Sequence, residues 1–146
     1  MSLSDPFCVT RHKEDFKSLL QGYVSMVFSN QEEAFTLLDT NITQEAVDIM
    51  SKWTETVVLT LGANGAIISH LGQTYYIDPL PIRVEDTTGA GDAFAAGFLF
   101  GMTHEFTPLE SGRIGATLAG AVIEKTGSRF QGHAHSLIHE KLGIRL

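Results

Sequence analysis

Cysteine is nearly missing from this chain: Cys8 is the only one in 146 residues. No disulfide can close within it, and a lone thiol fits a reducing cytosol, so a cytoplasmic location is expected. Long apolar runs are missing as well. The longest, 89–102, is interrupted by Asp92. It falls short of the roughly 20 residues that a spanning helix needs, so no membrane partner is expected. Residues 1–10 have neither the basic start nor the apolar stretch of a secretory signal. Positive charge is scarce, with 10 Lys and Arg against 17 Asp and Glu and a net charge of −7. Such a surface disfavours nucleic acid and anionic membranes as main partners. Any phosphate must then be held locally, by backbone N–H groups or a few placed cations. Repeats and low-complexity linkers are absent, while 43% hydrophobic residues and 18% charged residues describe a globular chain of ordinary single-domain length.

What is present alternates between strand and helix. Residues 11–22 read as an amphipathic helix with Phe16, Leu19 and Leu20 on one side. A buried strand is expected over 23–29, a short helix opened by Asn30 over 31–38, and another helix over 43–53. A sequon at Asn41-Ile42-Thr43 reads as a helix cap by Asn41 or Thr43. A second buried strand covers 56–61. Gly62-Ala63-Asn64-Gly65 forms a tight turn, since Asn-Gly favours positive φ. Antiparallel strands over 66–70 and 74–77 flank Leu71-Gly72. Pro79 and Pro81 then break regular structure. Helices follow over 89–101, from Thr107 with Pro108 in first position to about Lys125, ending near Gly127, and over 135–142. Ser4-Asp5-Pro6-Phe7 reads as the end of a strand entering a loop. This order predicts an α/β layered domain with a mixed sheet, and one that needs more strands than are found here.

The chemistry concentrates at Gly89-Ala90-Gly91-Asp92. Small residues let a ligand approach the backbone closely. The unpaired N–H groups of a first helical turn, at the positive end of the helix dipole, form an anion site. A carboxylate in that turn stays ionised and can accept a proton from an attacking alcohol beside a phosphoryl group. Residue by residue, a glycine-rich cap followed by an ordinary first-turn Asp accounts for the segment equally well. Two other phosphate motifs are excluded. No G-x-x-x-x-G-K-[ST] exists, and Phe94 occupies the third glycine position of G-x-G-x-x-G.

The longer string Asp86-Thr87-Thr88-Gly89-Ala90-Gly91-Asp92-Ala93-Phe94-Ala95-Ala96-Gly97-Phe98-Leu99 closely resembles the C-terminal signature of the ribokinase-like (PfkB) carbohydrate kinases. The resemblance runs from Ser4-Asp5-Pro6 to the final helix, with the nearest likeness to bacterial sugar kinases and adenosine-kinase-like members. It implies a ribokinase-like α/β fold with a central mixed sheet. It also implies ATP-dependent phosphorylation of a sugar or nucleoside hydroxyl, with ATP and Mg²⁺ as cofactors. Asp92 matches the catalytic base, and Gly89, Ala90 and Gly91 match the anion hole. Asn30-Gln31-Glu32-Glu33 matches an N-x-x-E motif in which Glu33 acts on Mg²⁺ through water and Asn30 lies near the phosphates. From the residues alone, Asn30 and Glu33 read as a helix cap with its N3 acid. Thr60, Gly62, Asn64 and Gly65 resemble the nucleotide loop, although a plain hairpin turn reads equally well. Asp86 and Thr88 match positions that hold a monovalent cation such as K⁺ in some members. Ala116 and Gly120 would border the adenine or simply allow close helix packing.

Other residues carry ordinary readings. His133, His135 and His139 have no Cys or acidic partner that would complete a zinc set. Lys125 and Arg129 read as solvated surface charge. Family members are about twice this long, and their N-terminal half supplies much of the sugar site and a lid. Residues 1–146 are therefore expected to be the C-terminal, nucleotide-binding and catalytic-loop part of a kinase domain that is incomplete at its N-terminal side. Such a half exposes a sheet edge and cannot close over its substrate, so association with another copy or with the missing half is expected. The alternative is a non-catalytic nucleotide-binding or assembly fragment.

Overall fold

A computed structural model of the chain describes residues 1–81, 85–124 and 133–144. They divide into two compact units, Met1–Tyr76 and Ile77–Leu146.

The first unit is built on a four-stranded mixed sheet in the order β1-β2-β3-β4, with β1 Met26–Asn30, β2 Thr56–Thr60, β3 Ala66–His70 and β4 Gln73–Ile77. Strand β1 runs parallel to β2, pairing Val27 with Val57 and Asn30 with Thr60. Strand β2 runs antiparallel to β3, pairing Val58 with Ile68. A parallel pair cannot be joined by a tight turn. The connection here is made by α3 (Gln31–Leu38) and α4 (Thr43–Met50). By contrast, Leu71 and Gly72, with φ of 50° and 78°, make the close reversal between β3 and β4.

The core of this unit joins Val27, Val57, Leu59 and Ile67 of the sheet to Leu20, Ala34, Leu37, Ala46, Val47 and Met50 of the helices. Full burial of each large aliphatic side chain contributes about 1.5–3 kcal/mol. Val58 and Ile68, on the other face, are also fully buried. A strand buried on both faces has no polar alternation, which explains the continuous apolar run of β2.

Several boundaries differ from expectation. Ser4-Asp5-Pro6-Phe7 is not a strand end, because Pro6–Arg11 forms helix α1. Asp5 caps it by accepting from the Cys8 amide at 2.9 Å, and Pro6 sits in its first turn, where its missing N–H costs nothing. Extended backbone occurs just before, where Ser2 bridges Phe28 in parallel. The helix expected over 11–22 is therefore α2, Lys13–Gly22, and its Leu19 is 41% exposed. Strand β1 begins three residues later than expected, because Tyr23 caps the end of α2. Neither Asn41 nor Thr43 caps α4. Ile42 holds the cap position, and Thr40 accepts from the Ile42 amide at 3.2 Å. Thr43 instead accepts from the Gln31 carboxamide at 2.6 Å.

The second unit is helical, with α5 Ala90–Thr103, α6 Pro108–Ile123 and α7 Ala134–Leu142. Thr107 caps α6 in a reciprocal box with Glu110, as the Thr-Pro start predicts. The expected continuation of that helix to Lys125 and Gly127 lies outside the described residues. Helices α5 and α6 approach so closely that a Cβ on Gly97 would stand 2.8 Å from the Gly115 Cα, and one on Gly101 would stand 2.7 Å from the Ser111 Cα. Phe98 and Ile114 are buried beside this seam.

Candidate functional site

In the first unit the candidate residues gather at the carboxyl ends of the two parallel strands. Asn30 ends β1 and Thr60 ends β2, and the two are partners in register. This end of a parallel sheet is where α/β folds bind ligands. Asn30 and Glu33 form a full capping box. The Asn30 amide donates to Glu33 Oε2 at 3.0 Å, the Asn30 carboxamide donates to Oε1 at 2.8 Å, and the Glu33 amide donates to Asn30 Oδ1 at 2.8 Å. The helix-cap reading of this pair is thus realised.

Glu33 is only 6% exposed. Burial pushes its carboxyl above the ordinary 4.5, the Asn30 N–H and the Ser29 hydroxyl work against the rise, and Asp5 and Glu32 add to it. A raised folded-state pKa means that the native protein holds this proton more tightly than the unfolded chain does. The associated stability is complete below about 4.5 and is lost as pH rises through the folded value. Glu33→Gln cannot lose it. Urea unfolding across a pH series should therefore show the variant gaining on the wild type from pH 4.5 upward, and parallel curves would refute this.

The loop after β2 is a short 3-10 turn, Gly62–Asn64, and not a simple Asn-Gly reversal. Positive φ falls on Gly62 at 57° and Gly65 at 85°, not on Asn64. With ψ of −135°, Gly65 occupies backbone space closed to residues with a Cβ. The Leu61 amide donates to the Gly65 carbonyl at 2.8 Å and closes the loop. Thr60, Gly62, Asn64 and Gly65 thus share one turn beside Asn30, and Gly62 has open space around its Cα.

In the second unit, Gly89 caps α5 in the left-handed region at φ 81°, with no side-chain cap. The Ala90 amide donates to the Thr87 carbonyl at 3.2 Å, so it is less available as an anion-hole donor than its neighbours. The first helical bond is that of Ala93 to Gly89, at 2.9 Å. The amides of Gly91 and Asp92 precede it and meet no acceptor among the described residues. The Asp92 side chain is exposed in the same first turn. Asp86 Oδ1 accepts from the Thr88 amide at 2.9 Å. The amides of Glu85 and Asp86 both donate to the Ile123 carbonyl, at 2.8 and 3.3 Å. On α6, Gly120 is buried and Ala116 half-buried.

His135 lies against the Phe100 ring at 5.7 Å, and His139 Nδ1 faces the Ile144 carbonyl at 3.3 Å. Among the described residues, no group of three or more His, Cys, Asp or Glu is arranged to hold a metal ion. Lys125 and Arg129 lie outside them. No described helix is long and apolar enough to cross a membrane.

The chain belongs to the pfkB family of carbohydrate kinases, whose profile matches residues 1–134. A probable sugar kinase from Rhizobium etli superposes with a TM-score of 0.92 at 38% identity, over 98% of this chain and 44% of that one. An adenosine kinase from Sinorhizobium meliloti superposes at 0.91 with 33% identity, over 96% of this chain and 43% of its own. An uncharacterised sugar kinase of Archaeoglobus fulgidus is 33% identical over 115 residues, which are 79% of this chain and 46% of that protein. The chain thus spans less than half the length of these relatives.

Proposed function

We propose that this chain takes part in ATP-dependent phosphoryl transfer to a hydroxyl of a sugar or nucleoside. Residues 1–146 would supply the nucleotide-binding and catalytic-loop portion of the kinase domain. The observation that carries the reading is the first turn of α5, where the Gly91 and Asp92 amides meet no acceptor among the described residues and Asp92 lies in the same turn. Donors fixed before reaction stabilise charge as it develops on the transferring phosphoryl group, and they need no reorganisation to do so. Asp92 takes the acceptor hydroxyl's proton as its oxygen bonds to the γ-phosphorus and the bond to the ADP oxygen breaks. Gly89 lets the chain turn into the helix, and Ala90 keeps the turn narrow.

Thr60, Gly62, Asn64 and Gly65 receive the nucleotide, Asn30 lies near its phosphates, and Ala116 and Gly120 border the adenine. Mg²⁺ would offset the charge of the nucleotide phosphates, with Glu33 as the residue that would hold it through water. The ion keeps several waters and needs only one or two carboxylates, which suits a Glu33 already held by Asn30 and acting through water. Asp86 and Thr88 are the residues for a monovalent ion such as K⁺. Association with another copy or with a complementary half would supply the acceptor side.

A second reading is favoured by the share of each relative that this chain covers, 46% and 44%. In that reading the chain is a nucleotide-binding or assembly module without turnover. Calorimetric titration with Mg·ATP, followed by ADP release with a panel of sugars and nucleosides, separates the two. Binding with acceptor-dependent release is expected. Binding without release selects the second reading. Saturating ATP at 100 times Kd stabilises a binder by about 2.7 kcal/mol, so the absence of a thermal shift sinks both.

A further inference from the structure

We propose that Ser29 is a positioning residue for Glu33: its buried hydroxyl fixes the turn from β1 into α3 and so sets how the Glu33 carboxylate is presented to hydrated Mg²⁺. The functional part rests on the phosphoryl-transfer reading, in which Glu33 acts on Mg²⁺ through water. The structural part is tested without it.

By pattern, position 29 belongs to the core. Residues two apart on a strand share a face, so Ser29 shares that of Val27, which packs in the core with Ala34 and Leu37 of α3. Its partner in register is Leu59, another core residue. Ser29 itself is only 5% exposed. A hydroxyl in such a place is costly unless it is bonded. Here it donates to the Asn30 carbonyl at 2.8 Å. The Glu33 carboxylate also feels this hydroxyl, which favours its charged form. The bonds around Ser29 converge on two consecutive peptide groups. In the first, between Ser29 and Asn30, the carbonyl accepts from the Thr60 hydroxyl at 3.4 Å and the N–H donates to Glu33 Oε2 at 3.0 Å. That one peptide therefore links the end of β2 to the acid of α3. In the second, the Asn30 carbonyl takes the Ser29 hydroxyl. Asn30 is the N-cap of α3, and the carbonyl of an N-cap opens the helical ladder. Holding both peptides fixes the direction in which α3 leaves the strand. Glu33, three residues on, is carried with it. A hydroxyl that served only to satisfy itself would add stability and leave the response to Mg²⁺ unchanged.

The test compares full chains carrying Ser29→Ala, Ser29→Cys and Ser29→Thr with wild type. Each is followed by thermal unfolding, by NMR amide exchange at Asn30 and Glu33, and by calorimetric ATP titration over a Mg²⁺ series with a chelator as its zero point. Ser29→Ala removes the donor. Exchange at both amides should rise about fivefold, the worth of one net hydrogen bond. The Mg²⁺ concentration that half-saturates ATP binding should rise about tenfold, the low end of the cost of removing a group behind a metal's carboxylate. ATP binding without Mg²⁺ should not move. Ser29→Thr keeps a hydroxyl and should restore both readings, while Ser29→Cys, a weak donor, should fall between. Unchanged exchange in Ser29→Ala overturns the proposal. Equal changes in Ser29→Ala and Ser29→Thr also overturn it, because side-chain shape would then be the cause. So does a lower Tm with an unmoved Mg²⁺ requirement, because the hydroxyl would then serve stability alone. If Ser29→Ala does not fold, the other two decide: a disturbed Ser29→Cys beside a normal Ser29→Thr supports the proposal, and identical behaviour overturns it. A wild type that binds no ATP at any Mg²⁺ concentration sinks the phosphoryl-transfer reading, and the exchange comparison still decides whether Ser29 holds the turn.

Discussion

Asp92→Asn is expected to lower ATP-dependent turnover by about 10²–10⁴-fold, the range that a positioned general base supplies. The comparison belongs in the preparation where wild-type turnover has been established. Asn fills the same space at the third position of α5 but cannot take a proton from the acceptor hydroxyl. Two other effects of the change are smaller, and their sizes separate them. Losing a negative charge near a helix N-terminus costs about 0.3–1 kcal/mol of stability. The expected rate loss corresponds to roughly 2.7–5.5 kcal/mol of barrier. Partial unfolding therefore cannot mimic the result if the melting curve moves only slightly. The Gly91 and Asp92 amides survive the substitution, so Mg·ATP affinity should be retained. Single-turnover kinetics with calorimetry reads both quantities. Turnover near the wild-type rate would remove Asp92 from the role of base.

How far this could be foreseen depended on how local the determining physics is. The capping box at Asn30 and Glu33 involves residues three apart, and the structure builds it as the spacing predicts. The Thr107-Pro108 start of α6 was legible for the same reason. Strand β2 was legible from its unbroken apolar run, which two-sided burial requires. Helix α1 was missed because Asp5-Pro6 fits a loop as well as a helix start, and only five residues follow Pro6 in the helix. The α4 cap was misplaced because Thr43, a good cap in isolation, is drawn to Gln31 on the neighbouring helix. At 62–65, Asn-Gly announced positive φ, which Gly65 adopts together with Gly62, but it did not announce that the residues between them form a 3-10 turn. The free amides of the α5 turn were foreseeable from the glycines. The commitment of the Ala90 amide to the Thr87 carbonyl was not, since it is made by the loop that precedes the helix. The seam between α5 and α6 is a long-range match of Gly97 to Gly115, and no local pattern announces which small residues will meet.

That seam gives the second large effect, on stability. Gly97→Ala should destabilise the protein even though alanine is the better helix former. In an open helix the exchange gains about 1 kcal/mol. Here the new Cβ would stand 2.8 Å from the Gly115 Cα, 2.9 Å from its amide nitrogen and 3.0 Å from the Ile114 carbonyl oxygen. All three are backbone atoms, so no rotamer change relieves the contact and the helices must separate. Overpacking of this kind costs about 1–3 kcal/mol, and rigid neighbours place this case at the upper end. The net expectation is a loss of about 2 kcal/mol, or a fall in Tm of roughly 4–8 °C for a chain of this size. Gly22→Ala is the matching control. Gly22 ends α2 with no atom within 4 Å of an added Cβ, so the change there should be neutral or stabilising. Thermal unfolding of the two variants side by side reads the sign directly. If Gly97→Ala melts at or above the wild-type temperature, the helices can separate at little cost, and the seam does not fix how α5 is seated. If it melts lower, the same displacement reaches the first turn of α5, seven residues before Gly97, where Gly89 and Asp92 lie. Turnover should then fall by more than the loss of folded protein explains, because misplacing a reacting group by a fraction of an ångström is felt directly in rate.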